Sequence, residues 1–209
     1  IGTDKQEETG GLYAYDLNGK IVNQIVPLNR PNNVDVMYGF PLNGKKVDIA
    51  VLTERANNKI RVVSLPDFKL IDDGGIEVFK DETLRDPMGI ALYKSKDNKF
   101  YAIVGRKDGT NGEYLHQYAL ENNNGKIEAT LVRKFGNYSG KKEIEAIAVD
   151  EELGFIYYAD ETAGIRKYYA DPEKGNEEIA FFGQKDFKRD HEGIAIYKTR
   201  TVFEILFRN

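Results

Sequence analysis

Four acidic residues stand where carboxylates are costly to place. Glu145 lies inside the apolar run of "KKEIEAIAVD", and Glu161 closes "GFIYYADE" directly after Asp160. Asp190 and Glu192 precede the apolar run of "RDHEGIAIY". Burying an unpaired charge is unfavourable, so each needs a partner. Glu145 and Glu192 also match one another, since each stands one residue before a small one, Ala146 or Gly193. Two such runs placed side by side would aim both carboxylates at one region, where they repel. An oxygen-seeking cation relieves that repulsion, and calcium accepts about six to eight oxygen ligands in flexible geometry. Glu161, ending the second strand of its unit, can reach the same region or a neighbouring ion. Asp150-Glu151-Glu152 differs, because it reads as a solvated hairpin turn.

Three basic residues follow apolar strands in a similar way: Lys5 after "IGTD", Arg55 after "IAVLTE" and Arg106 after "AIVG". Guanidinium forks suit phosphate oxygens. Basic strand ends beside a carboxylate cluster suggest an anionic ligand bridged through calcium. His116, within "GEYLHQYAL", reads as an ordinary strand residue. The sequence shows no Ser-His-Asp order and no Walker-type glycine loop. Its acidic turns lack the spacing of an EF-hand.

The composition narrows the classes. The chain has 209 residues, 41% of them hydrophobic and 31% charged, with a net charge of −4. That balance argues against nucleic-acid binding, which normally shows a basic face. No apolar run is long enough to span a bilayer. Cysteine is absent, which excludes disulfides and thiolate metal sites. With only two histidines, any metal is expected to be held by oxygen. The opening Ile1-Gly2-Thr3-Asp4 reads as the end of a strand, so the true start is expected upstream.

The elements that must position these groups are strands. Short alternating runs rich in Val, Ile, Tyr and Phe are bounded by Gly, Asn and Asp, and helical periodicity is nearly missing. Asn-Gly pairs mark hairpin turns in "DLNGK", "PLNGKK" and "NNNGK". The runs "NVDVMYG", "PMGIALY", "IEAIAVD" and "HEGIAIY" align with one another and recur at intervals of roughly 50 residues, each opening a unit of about four strands. The expected fold is all-β, a β-propeller of about four blades, incomplete at both ends; a sandwich is the alternative. After Lys198 the sequence "TRTVFEILFRN" lacks a turn signal, so residues 1–198 read as the propeller domain and 199–209 as an atypical tail. A short edge strand after Thr199 is the other reading of that tail.

"RPNNVDVMYGFPLNGKKVDIAV" closely resembles the bacterial β-propeller phytases, most specifically in "FPLNGKKVDIA". "KKEIEAIAVDEELGFIYYADE" and "RDHEGIAIY" are similar to the later blades of that family. The resemblance covers the chain up to about Lys198. It implies a six-bladed, calcium-dependent propeller that releases phosphate from myo-inositol hexakisphosphate, or phytate. It also implies an extracellular or periplasmic setting, a monomer when complete, and neither nucleic-acid nor membrane partners. On the family pattern Glu145, Glu161, Asp190 and Glu192 fall on calcium-binding carboxylates. Glu145, Glu161 and Asp190 are expected to serve the chemistry, and Lys5, Arg55 and Arg106 to contact phosphate. Lys107 stands where relatives often carry an acid, and Met88 where some carry Tyr. The family's Asp-Asp-Pro-Ala and Asp-Gly-Ile-Asp segments are missing from this sequence. Two other functions remain compatible with the residues: a calcium-dependent propeller hydrolase of another class, such as a lactonase, and a non-catalytic binding platform.

Overall fold

A computed structural model describes residues 1–185 and 191–198 in full, and the backbone of 203–208. The described residues form antiparallel sheets with short connections, plus two short 3-10 turns, Arg55–Asn57 and Pro172–Lys174. The first sheet holds β1 (Gly2–Asp4), β2 (Gly10–Tyr15) and β3 (Ile21–Leu28) in sequence order. The second runs β4 (Pro31–Leu42), β5 (Lys45–Glu54) and β6 (Lys59–Leu65). Its outer strand is split into β7 (Lys69–Leu70) and β8 (Ile76–Glu77), both paired to β6. The third sheet is β9 (Pro87–Lys94), β10 (Phe100–Arg106), β11 (Leu115–Asn123) and β12 (Lys126–Phe135). The fourth is β13 (Ile147–Asp150), β14 (Phe155–Asp160), β15 (Gly164–Tyr169) and β16 (Ala180–Phe182). Last comes the hairpin of β17 (Gly193–Lys198) and β18 (Phe203–Arg208).

Two of the three Asn-Gly hairpin pairs do what their chemistry suggests, whereas at Asn18-Gly19 only the glycine takes positive φ. Asn43-Gly44 joins β4 to β5 with φ of 48° and 75°, and Asn124-Gly125 joins β11 to β12 with φ of 51° and 86°. Both central residues of such a turn need positive φ, which Asn and Gly tolerate best.

Successive sheets pack face to face. Met37, Ile49 and Val62 of the second sheet meet Ile90, Ala102 and Tyr118 of the third. Ile103 and Phe135 of the third meet Ile156 and Tyr168 of the fourth. Leu12 and Leu28 of the first meet Ala50 and Leu52 of the second. The strand that opens each unit lies beside the one that opens the next: β4 by β9, β9 by β13, β13 by β17. This is a β-propeller-type fold, with the four aligned repeats as the innermost strands of successive blades. Within 199–209, Phe203–Arg208 pairs antiparallel with β17 from Gly193↔Arg208 to Lys198↔Phe203. Residues 199–202 and 209 lie outside the described residues.

Candidate functional site

The sheet topology sorts the candidate side chains to one end of the blades. Arg55 and Glu161 each follow the second strand of a sheet (β5 and β14), Arg106 ends the second strand β10, and Lys5 follows β1, which packs beside β4. Glu145 and Glu192 just precede the innermost strands β13 and β17. In an antiparallel meander the second strand ends where the first begins, so both sets share one rim.

Glu145 is 8% exposed. Asn32 Nδ2 donates to its Oε1 at 3.4 Å, and Lys5 Nζ lies 3.6 Å from its Oε2. Asn33 Nδ2 donates to the Glu145 main-chain oxygen at 3.0 Å. Asn32 is itself held, since the Thr3 hydroxyl donates to its carbonyl. The buried carboxylate thus has partners from the first two sheets. The cavity in front of it, about 570 Å³, is also lined by Asp35 and Glu192. Asp35 accepts from Val36 N and Leu92 N, both at 2.8 Å, so it links the second and third blades. Burial pushes its carboxyl above the usual range, and those two backbone bonds oppose the shift.

A second cavity, about 580 Å³, adjoins the first through Glu192, which lines both. Glu143 and Glu161 line it together with Lys107, Lys141 and Lys142. Asp86 also lines it, and Arg55 Nε lies 3.5 Å from Asp86 Oδ1. The structure therefore gathers Lys5, Glu145, Glu161 and Glu192 around two touching cavities, with Arg55 at their edge. Asp190 lies outside the described residues.

Arg106 is not brought to this group. It is 1% exposed and lines neither cavity. Its Nη1 donates to Leu84 O at 3.0 Å and lies 3.0 Å from Glu82 Oε2, while Nη2 donates to Glu113 O at 3.1 Å. The guanidinium also sits 4.9 Å from the Phe79 ring centre. Lys107, the next residue, reaches the cavity instead. Sequence reasoning noted Lys107 only as a departure from the family pattern and passed over Lys141 and Lys142. The one signal of that pair was two lysines flanking an acid-bearing run, which is indistinguishable from ordinary surface charge.

Half-buried Glu82 and buried His116 complete a polar cluster with Arg106 behind the rim. The hydrogen bond from Lys134 (2.7 Å) and then the pull of Arg106 hold Glu82 down at about 2, although burial opposes them. The Tyr118 hydroxyl accepts from Phe79 N at 2.8 Å, so its own proton goes to His116 Nδ1 at 3.1 Å. The ring N–H then sits on Nε2, 3.5 Å from Glu82 Oε1. Burial, followed by the charges of Arg106 and Lys134, pushes His116 down to about 4 from 6.5. A neutral buried histidine that can charge only on unfolding favours the unfolded chain in acid. Its contribution is whole above pH 6.5 and is lost between there and about 4, worth about 3 kcal/mol. Glu82, with its lowered value, adds a second loss between 4.5 and about 2. His116→Gln should therefore flatten the pH dependence of the urea midpoint between 6.5 and 4 while leaving the lower window; an unchanged upper window contradicts this.

In chemical type the rim suits a hard cation, since its acidic donors are all oxygen. Among the described residues, no three His, Cys, Asp or Glu side chains are gathered closely enough to hold a metal by themselves. Calcium takes about six to eight oxygens, and water or ligand oxygens can complete a set that the protein begins. Two glutamates lining the first cavity and three lining the second, with Glu192 common to both, are compatible with such shared coordination.

The sequence matches the Phytase family over residues 1–204. It is 32% identical over 208 residues to a protein of Bacillus subtilis (strain 168) named 3-phytase. That alignment takes in 94% of this chain and 51% of the relative, so the chain spans about half the length of the protein it matches. The propeller blades, the acidic and basic rim and this match over nearly every residue agree: the chain belongs to the phytase family.

Proposed function

We propose that this chain carries part or all of a calcium-dependent site that hydrolyses phosphomonoesters of phytate. The observation that carries the reading is the convergence of Glu145, Glu161 and Glu192 on two adjoining cavities rimmed by lysines. Glu145, Glu161 and Glu192 would hold calcium, with Asp190 as a further ligand. Bound calcium would neutralise phosphate charge and make a bound water more acidic. The chain's own groups have separate tasks. Lys5 and Lys107 face the cavities as phosphate partners, and Arg55 steadies the edge through Asp86. Water adds to phosphorus as the ester P–O bond breaks. We assign Glu161 as the carboxylate that would take the water's proton and pass it, directly or through solvent, to the leaving inositol oxygen. We place the protein outside the cytoplasm, extracellular or periplasmic, a monomer when complete, without membrane or nucleic-acid partners.

The test is phosphate release from phytate by this chain with excess calcium and with chelator. Calcium-dependent release supports the reading. Hydrolysis of lactones with none of phosphate esters would favour a different propeller hydrolase, and calcium binding without turnover a binding platform. Where release occurs, Glu145→Gln should lower it well beyond 10-fold, because loss even of groups that only orient a metal ligand costs about 10- to 100-fold. Full activity in that variant removes Glu145 from the site.

A further inference from the structure

We propose that Ser139 and Asp160 form a clamp that sets the spacing of the metal-binding glutamates, with both acting as positioning residues. The inference rests on the calcium reading above. Residues 137–145 connect the third blade to the fourth and carry Glu143 and Glu145 to the rim. Gly136 and Gly140, with φ of 99° and 72°, lie on either side of Ser139. Such residues give the loop several accessible paths, so contacts must select one.

Most of those contacts come from the fourth blade. The Tyr158 hydroxyl donates to Asn137 O at 2.8 Å, and Asn137 N donates to the Tyr168 hydroxyl at 2.9 Å. Asp160 then takes two hydrogen bonds from one loop residue: Ser139 N to Oδ2 at 2.9 Å and Ser139 Oγ to Oδ1 at 2.6 Å. Asp160 is fully buried and fixed from behind by Arg166 Nε at 2.9 Å. Arg166 is held in turn by Glu178 through Nη1 at 2.8 Å. At the loop's far end, Ile144 N donates to the buried Tyr114 hydroxyl at 3.2 Å.

The consequence follows from chain connectivity. Glu161 is the residue after Asp160, and Glu145 ends the loop that Asp160 grips. One buried carboxylate thus ties the strand end bearing Glu161 to the loop bearing Glu145. Charge-assisted hydrogen bonds of this kind are short and directional, which suits them to fixing position. Groups that orient metal ligands typically contribute about 10- to 100-fold to metal affinity.

Ser139 allows the clamp to be tested without disturbing the core, because it is exposed and the Asp160–Arg166–Glu178 chain survives its truncation. The probe is terbium(III), a calcium surrogate whose emission is sensitised by nearby tyrosine; Tyr138 lines the second cavity. Ser139→Ala should weaken terbium binding about 10-fold, lower the melting temperature of the metal-free chain only slightly through the loss of one hydrogen bond to Asp160 Oδ1, and be rescued in both by Ser139→Thr. Unchanged terbium affinity in Ser139→Ala overturns the clamp while the metal reading stands. No saturable emission from the unaltered chain overturns the metal reading, and the clamp with it.

Discussion

Gly89→Ala should displace Glu145 and abolish the calcium response that the proposed site predicts, at a cost of about 1–3 kcal/mol in stability. Gly89 lies in β9, buried under the start of the next blade. A Cβ there would overlap the Glu145 carbonyl oxygen and meet its carbonyl carbon at 2.9 Å and its Cα at 3.2 Å. These are backbone atoms, so no rotamer change relieves the contact. The backbone of Glu145 must move away, and with it the main-chain oxygen that Asn33 holds and the carboxylate that Asn32 and Lys5 hold. The check is a melting curve with and without calcium. A lower metal-free melting temperature and no upward shift with calcium is the expected pattern. An alanine variant that keeps the calcium shift of the parent would show that the two strands separate freely there.

Arg106→Met should destabilise the chain by about 3–5 kcal/mol, the usual cost of removing one member of a buried charged cluster. The loss leaves the Leu84 and Glu113 carbonyls without their donor and Glu82 with one fewer cation. Unpaired buried acceptors carry a desolvation penalty of their own. The Tyr114 hydroxyl, which donates to the Arg106 main-chain oxygen and accepts from Ile144 N, keeps both bonds in this variant, so any effect at the rim must come through a shift of the Arg106 backbone. Urea unfolding measures the effect. The opposite result, parental stability with weakened phosphate binding, would return Arg106 to the phosphate-contacting role that its place after "AIVG" suggested.

Much of the fold was legible in the sequence because two local rules acted together. Alternating apolar residues gave the strands, and Asn-Gly pairs gave the turns, as at Asn43-Gly44 and Asn124-Gly125. The repeat then gave the blades, since equivalent strands must share equivalent neighbours. Glu145 and Glu192 stood out for the same reason: each stands at a matched position one residue before a small one in an aligned repeat. The division of labour between adjacent residues was not legible. Along a strand, neighbouring side chains face opposite ways, so a one-residue ambiguity exchanges core for cavity. Arg106 and Lys107 are such a pair, one bonded to Glu82 and two carbonyls, the other at the rim. Asp160 and Glu161 are another, and only the tertiary partners Ser139 and Arg166 mark Asp160 as the anchored one. Tyr114 carried no sequence signal, because a buried tyrosine with a structural hydroxyl looks like any aromatic core residue.

The divided outer strand of the second blade bears on how the molecule behaves in a crowded solution. The outermost strand of a sheet presents unpaired amide and carbonyl groups, a ready template for another chain. Here that margin consists of two-residue pieces, Lys69–Leu70 and Ile76–Glu77, separated by a turn in which Asp73, Gly74 and Gly75 all take positive φ. Neither piece is long enough to seat a foreign strand in register. Charged Lys69 and Glu77 lie within them. The blade thereby keeps the hydrogen bonds that complete its sheet while denying a continuous edge to aggregation.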